Sequence, residues 1–130
     1  MAARMTSGPI KVLLADDDDL FVESLKALVD RQPELDVVAT AHNGLEAIEL
    51  ADALDPDAVV VDLHMPLLDG VSALTRLRRD HPHLCVIVLT GDADEKLHRA
   101  AEEAGADAVL EKHEIARALV DRLAQIRDAK

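Results

Sequence analysis

Two kinds of apolar pattern alternate along this chain. Five short runs, Ile10–Ala15, Asp36–Ala41, Ala58–Asp62, Leu84–Leu89 and Ala108–Leu110, are dominated by Val, Ile, Leu and Ala. Such runs are the pattern of strands covered on both faces. Between them, apolar positions recur every three or four residues. Leu20, Phe21, Val22, Leu25, Leu28 and Val29 predict an amphipathic helix to about Arg31, ended by Pro33. After the turn His42-Asn43-Gly44, Leu45, Ile48 and Ala51 predict a second helix that stops before Pro56. A third, from Asp69 to Arg79, buries Val71, Leu74 and Leu77, and Ile115, Leu119, Val120, Leu123 and Ile126 mark a last one. The helix between the last two strands, Asp94 to Ala104, differs. Its apolar face holds only Leu97, Ala100, Ala101 and Ala104. At about 25 cal/mol per Å² it gains little from packing, which makes it a candidate for movement.

Five strands alternating with five helices through short turns predict an α/β architecture, a parallel sheet with helices on both faces. Residues 1–9 read as a flexible leader, 10–127 as the domain and 128–130 as a tail, with no output domain following.

Composition narrows the function. A length of 130 residues, 49% hydrophobic and 31% charged, suits one soluble globular domain. Phe21 is the single aromatic residue, so the core must be built from aliphatic side chains and stacking platforms for single-stranded nucleic acid are missing. A net charge of −12 disfavours direct binding to nucleic acid or an anionic membrane and favours cations or basic protein faces. One cysteine, Cys85, makes no internal disulfide and reads as an inert, buried thiol. With no signal peptide and no apolar run near the roughly 18 residues that cross a bilayer, a cytoplasmic protein is expected.

The chemistry gathers where the strands stop. Parallel strands place their carboxyl ends on one edge, where open α/β sheets bind ligands. Strand one ends at Asp16-Asp17, strand three at Asp62, strand four at Thr90 and strand five at Lys112. Each has a plain structural explanation. Aspartates before a helix cap free N–H groups and complement its dipole, as Asp18 and Asp19 are expected to do. Thr90 suits a cap, and a lone lysine suits solvent. Four independent decorations at four successive strand ends are less economical than one shared cleft. Oxygen ligands of this kind suit Mg²⁺. Beside a cation and Lys112, Asp62 is placed as a nucleophile toward a phosphoryl group, with Thr90 as a hydrogen-bond donor to its oxygens. Nucleotide-binding glycine loops, an H-E-x-x-H pair and a nucleophile elbow are absent from the sequence. His81-Pro82-His83 reads as a surface turn.

The motifs KVLLADDDDLF, VVVDLHMPLLDG, VIVLTG and GADAVLEK, in this order and spacing, resemble the receiver domain of two-component response regulators from about Ile10 to Ile126. The first motif, with SLKALV after it, is similar to the NarL-type subgroup. The resemblance implies a flavodoxin-like fold of strand order 2-1-3-4-5. It implies Asp62 as phosphoacceptor, and Mg²⁺ held by Asp16, Asp17, Asp62 and the backbone carbonyl of His64. Thr90 would be the switch hydroxyl and Lys112 the phosphate-contacting lysine. The donor would be a histidine kinase or a histidine phosphotransfer protein, docking near Leu20 and Phe21. The fourth helix, fifth strand and fifth helix would form the output and homodimer surface, with Leu97 and Val109 on it. The chain would be a switch, and an enzyme only toward its own Asp62. His64 and Asp92, two residues past Asp62 and Thr90, are expected to tune the lifetime of the phosphate.

Three departures from the family pattern stand out. Val109 takes the place of the family's switch aromatic, His113 follows Lys112 where proline is common, and the DNA-binding domain usual after a NarL-type receiver is not among these residues, as expected of either a stand-alone receiver or a piece of a longer regulator. Two other readings compete with this one. A phosphatase resembling the haloacid dehalogenase class needs a second aspartate where His64 stands, and a cap domain. A phosphate-independent adaptor would keep its partner affinity in Asp62→Asn.

Overall fold

A computed structural model describes residues 8–63, 70–91, 95–112, 118, 121–123 and 125. The strands are β1 (Ile10–Ala15), β2 (Leu35–Ala41), β3 (Ala58–Asp62), β4 (Cys85–Thr90) and β5 (Ala108–Glu111). The helices are α1 (Asp19–Asp30), α2 (Gly44–Leu54), α3 (Gly70–Asp80) and α4 (Glu95–Glu103). Residues 118, 121–123 and 125 are helical as well. All strand pairs are parallel and the sheet order is β2-β1-β3-β4-β5. This is the expected doubly wound sheet.

Strand alternation sends successive side chains to opposite faces, and two separate cores result. On one face Leu13, Val59, Val61, Val86 and Val88 pack with Ala47, Ile48 and Ala51 of α2, Ala73, Leu74 and Leu77 of α3 and Ala101 of α4. On the other, Ile10, Val12, Leu14, Val60, Ile87 and Leu89 pack with Leu25 and Val29 of α1 and with Leu123. The middle strand β3 is buried along its whole length. None of the described helices is long and apolar enough to cross a membrane.

Helix ends follow the local chemistry. The Asp18 carboxylate accepts from the backbone N–H groups of Leu20 and Phe21, capping α1. Asn43 caps α2 by accepting from Glu46 N–H, while Glu46 accepts from His42 N–H. That backbone bond, then the His42 ring, hold the Glu46 carboxyl below its ordinary range. Helix α4 closes with Gly105 at φ +110°, its N–H donating to Glu102 O and the N–H of Ala106 to Ala101 O. This is the double bond pattern of a left-handed helix terminus.

Several expectations need correction. Strand β2 begins at Leu35, which is buried and paired with Ile10, not at Asp36. Its register slips between Val12 and Leu13, whose partners are Val37 and Ala39, so Val38 is the extra residue of a bulge. Leu45 is exposed, because the inward stripe of α2 runs Gly44, Ala47, Ile48, Ala51 and Leu45 lies one step around the helix. Leu20 is also exposed, at 76%. Cys85 is half-buried, since it opens β4 at the amino edge of the sheet and lines a cleft there with Arg78, His83 and Arg122. The final helix's Ile115, Leu119, Val120 and Ile126 lie outside the described residues. Helix α4 is shallowly seated as expected: Ala101 is buried and Leu97 and Ala104 are only partly so.

Arg78 ties α3 to the turn before β5. Its guanidinium donates to the carbonyls of Gly105, Pro82 and Leu84 and to the Asp107 carboxylate at 2.7 Å. A Cβ on Gly105 would stand 2.7 Å from Arg78 Cγ, whereas one on Gly91 would meet nothing within 4 Å. Gly105→Ala is therefore expected to cost about 1–2 kcal/mol from the positive φ alone, and more from displacing Arg78. Gly91→Ala should be close to neutral. Urea unfolding midpoints of the two variants check this.

Candidate functional site

Strand register alone brings the polar residues together. Ala15 pairs with Val61, so Asp16 follows at the level of Asp62. Asp62 pairs with Leu89, which puts Thr90 one residue further along. Thr90 in turn pairs with Glu111, and Lys112 is the next residue. Side chains that are 74 residues apart between Asp16 and Thr90 thus share one edge of the sheet.

Burial separates these residues from ordinary surface charges. Asp16 is 1% exposed, Asp62 3% and Thr90 0%, while Asp17 is exposed. Carboxylate oxygens of Asp16, Asp17 and Asp62 all lie within 4.8 Å of one another. Burying a carboxylate is costly unless it is paired. One partner is Lys112, whose Nζ stands 2.8 Å from Asp16 Oδ2 and 3.2 Å from Asp62 Oδ2. Burial works against the Lys112 ammonium, but the Asp16 and Asp62 carboxylates outweigh it and raise the lysine above its ordinary value. Asp16 Oδ1 accepts from Asp18 N–H at 2.9 Å. Its other oxygen is buried and, apart from the charge contact with Lys112, has no aligned hydrogen bond among the described residues.

Among the described residues, one ammonium pairs with two of the three carboxylates, an excess of negative charge that suits a cation. An all-oxygen donor set with two buried members, one exposed member and a buried Asp16 oxygen held only by a charge contact among the described residues fits a hard divalent cation such as Mg²⁺, which keeps several waters. Asp16, Asp17 and Asp62 are the described residues able to hold it.

The expected switch residues are placed as follows. Leu97 on α4 and Val109 on β5 are half-buried and packed against the same core cluster. His64 and Asp92 lie outside the described residues. One contact was not foreseen for what it does: the Phe21 ring centroid lies 4.5 Å from Lys112 Nζ. The signal in the sequence was the only aromatic residue, five positions after Asp16.

Comparisons with known proteins point to one family. The family model for the response regulator receiver domain matches residues 12–124. The transcriptional regulatory protein LnrK of Bacillus subtilis is 41% identical over 103 residues, covering 79% of this chain and 47% of that protein. Protein-glutamate methylesterase/protein-glutamine glutaminase 2 of Anaeromyxobacter dehalogenans is 42% identical over 104 residues, 80% of this chain and 30% of that one. The crystal structure of the response regulator domain of Thermotoga maritima CheB superposes with a TM-score of 0.85 at 29% identity, covering 92% of this chain and 97% of that chain. The chain spans about half or less of the curated relatives it matches.

Lys112→Met removes the charge that pairs two buried carboxylates. Because the lysine is partly solvated, a loss of about 1–3 kcal/mol is expected in urea unfolding near neutral pH. The folded pKa of Lys112 lies above its ordinary value of 10.5. Its contribution is therefore complete below that value and fades as pH rises through the folded pKa. The stability gap between wild type and Lys112→Met should shrink in that alkaline window and stay constant from pH 7 to 9.

Proposed function

We propose, for a chain that belongs to the response regulator receiver domain family, that Asp62 is the acceptor of a phosphoryl group and that its phosphorylation sets the output state. The observation carrying this reading is the buried Asp62 carboxylate beside Asp16, Asp17 and Lys112. A phosphohistidine on a histidine kinase or a phosphotransfer protein is the donor. The Asp62 oxygen forms the new P–O bond as the P–N bond breaks, and its electron pair returns to the imidazole nitrogen, which takes up a proton. Reversal of the signal is hydrolysis: water adds to phosphorus and Asp62 leaves as carboxylate, releasing inorganic phosphate.

Mg²⁺ bound by Asp16 and Asp17, with Asp62 and the His64 carbonyl as further ligands, would supply positive charge against the phosphoryl oxygens. The residues of the chain do the rest. Lys112 is already poised at Asp62 and offers N–H donors to those oxygens. Thr90, fully buried at the neighbouring strand end, donates its hydroxyl. Phosphorylation adds about −1.5 to −2 charges at the cleft, and the closing of Thr90 and Lys112 on them pulls the end of β4 inward. Helix α4 follows directly and is lightly anchored, so its packing shifts with β5, around Leu97 and Val109. Output is a partner, or a second copy of the chain, that binds one packing better than the other. His64 and Asp92 set how long the phosphate lasts by positioning or blocking water. Turnover of an external substrate is not part of this reading.

Incubation with acetyl phosphate and Mg²⁺ should add one phosphoryl group to wild type by intact mass and none to Asp62→Asn. Asp17→Asn should slow uptake by about an order of magnitude or more. Equal uptake by Asp62→Asn would refute the assignment. Substitution of His64 or Asp92 should change the rate of phosphate loss several-fold without changing the site of modification.

A further inference from the structure

Phe21 has no part in the phosphoryl-transfer scheme above, yet it touches a residue that has. A lysine ammonium offers three N–H donors. Three electron-rich partners surround this one: Asp16 Oδ2 at 2.8 Å, Asp62 Oδ2 at 3.2 Å and the Phe21 ring at 4.5 Å to its centroid. A cation over a ring face is drawn by the ring quadrupole, the more so where water is partly excluded. Here the lysine side chain is 25% exposed. The ring is held in place from two sides. Asp18 accepts from the Phe21 N–H and so fixes the first turn of α1 beside the cleft, and the side chain packs against the core cluster under α1. Its neighbour Leu20 projects into solvent instead.

We infer that Phe21 is a positioning residue for Lys112, its ring keeping the ammonium over the strand ends at the place where an incoming phosphoryl group arrives. This rests on the reading of Asp62 as phosphoacceptor. Lysine carries a strongly hydrated head on a flexible four-carbon stem. With an aliphatic residue at position 21, water replaces the ring, the stem samples more rotamers, and each encounter with a donor finds the ammonium in place less often. A purely packing role for Phe21 predicts something different, because it does not pass through the lysine.

Initial rates of phosphoryl uptake from acetyl phosphate, with Mg²⁺, separate the two. Phe21→Leu should be slower than wild type by about three- to tenfold and Phe21→Tyr, which keeps the ring, within about twofold. In a Lys112→Met background, Phe21→Leu should bring no further loss. An equal loss in both backgrounds, or a Phe21→Tyr variant as slow as Phe21→Leu, overturns the inference. A second readout is independent of transfer: the NMR resonances of the Lys112 side-chain Hε protons should show a ring-current upfield shift in wild type that disappears in Phe21→Leu. Unshifted resonances in folded wild type also overturn it. Should wild type take up no phosphoryl group while the shift is present, the phosphoacceptor assignment fails and the ring–ammonium contact stands.

Discussion

Crowded negative charge at the carboxyl edge of the sheet is the constraint around which this molecule is arranged. Three carboxylates converge there, and the two that pair with the Lys112 ammonium are almost wholly out of water. Isolated charges are seldom buried in this way unless they are paired or bind a cation. The sheet makes the arrangement rigid. Strands β1, β3 and β4 are fixed by ladders on both sides and by two aliphatic cores, so the carboxylates cannot relax apart to relieve their repulsion. In the proposed cycle, what changes is the cation, the lysine head and the covalent state of Asp62.

The same contrast between rigid and yielding parts connects the site to a surface. The central strands carry the reacting groups, while α4, which follows β4, buries a single alanine completely. Leu97 on α4 and Val109 on β5 are each half-buried against the same core cluster, without the rotamer-locking bulk of an aromatic side chain. In the proposed switch, a change in charge at the end of β4 would act on this lightly seated helix. The similarity to a transcriptional regulator and to a methylesterase covers half of each protein's length or less.

Much of this was legible in the sequence, for identifiable reasons. Strands covered on both faces write themselves as aliphatic runs, so the run Ala58–Asp62 located the middle of the sheet, and parallel alternation put Asp16, Asp62, Thr90 and Lys112 on one edge. What escaped depended on rotation and register. Leu45 looks like a core residue until the helix phase is fixed by Ala47 and Ala51, two small side chains that a hydrophobic count undervalues. The bulge at Val38 leaves no trace in a run of β-branched residues. Cys85 reads as buried from its apolar neighbours, but the position at the strand's first residue is what opens it to a cleft. Phe21 was assigned to the apolar stripe of α1, and nothing in periodicity reveals that its ring faces an ammonium 91 positions later.

On this reading, the excess of carboxylate charge at the strand ends would draw a divalent cation to them. Calorimetric titration of Mg²⁺ into wild type and Lys112→Met tests it. A charge-deficient carboxylate site predicts one saturable site in each protein and tighter binding in the variant, where the competing ammonium is gone. Absence of a saturable site, or weaker binding by Lys112→Met, would contradict it.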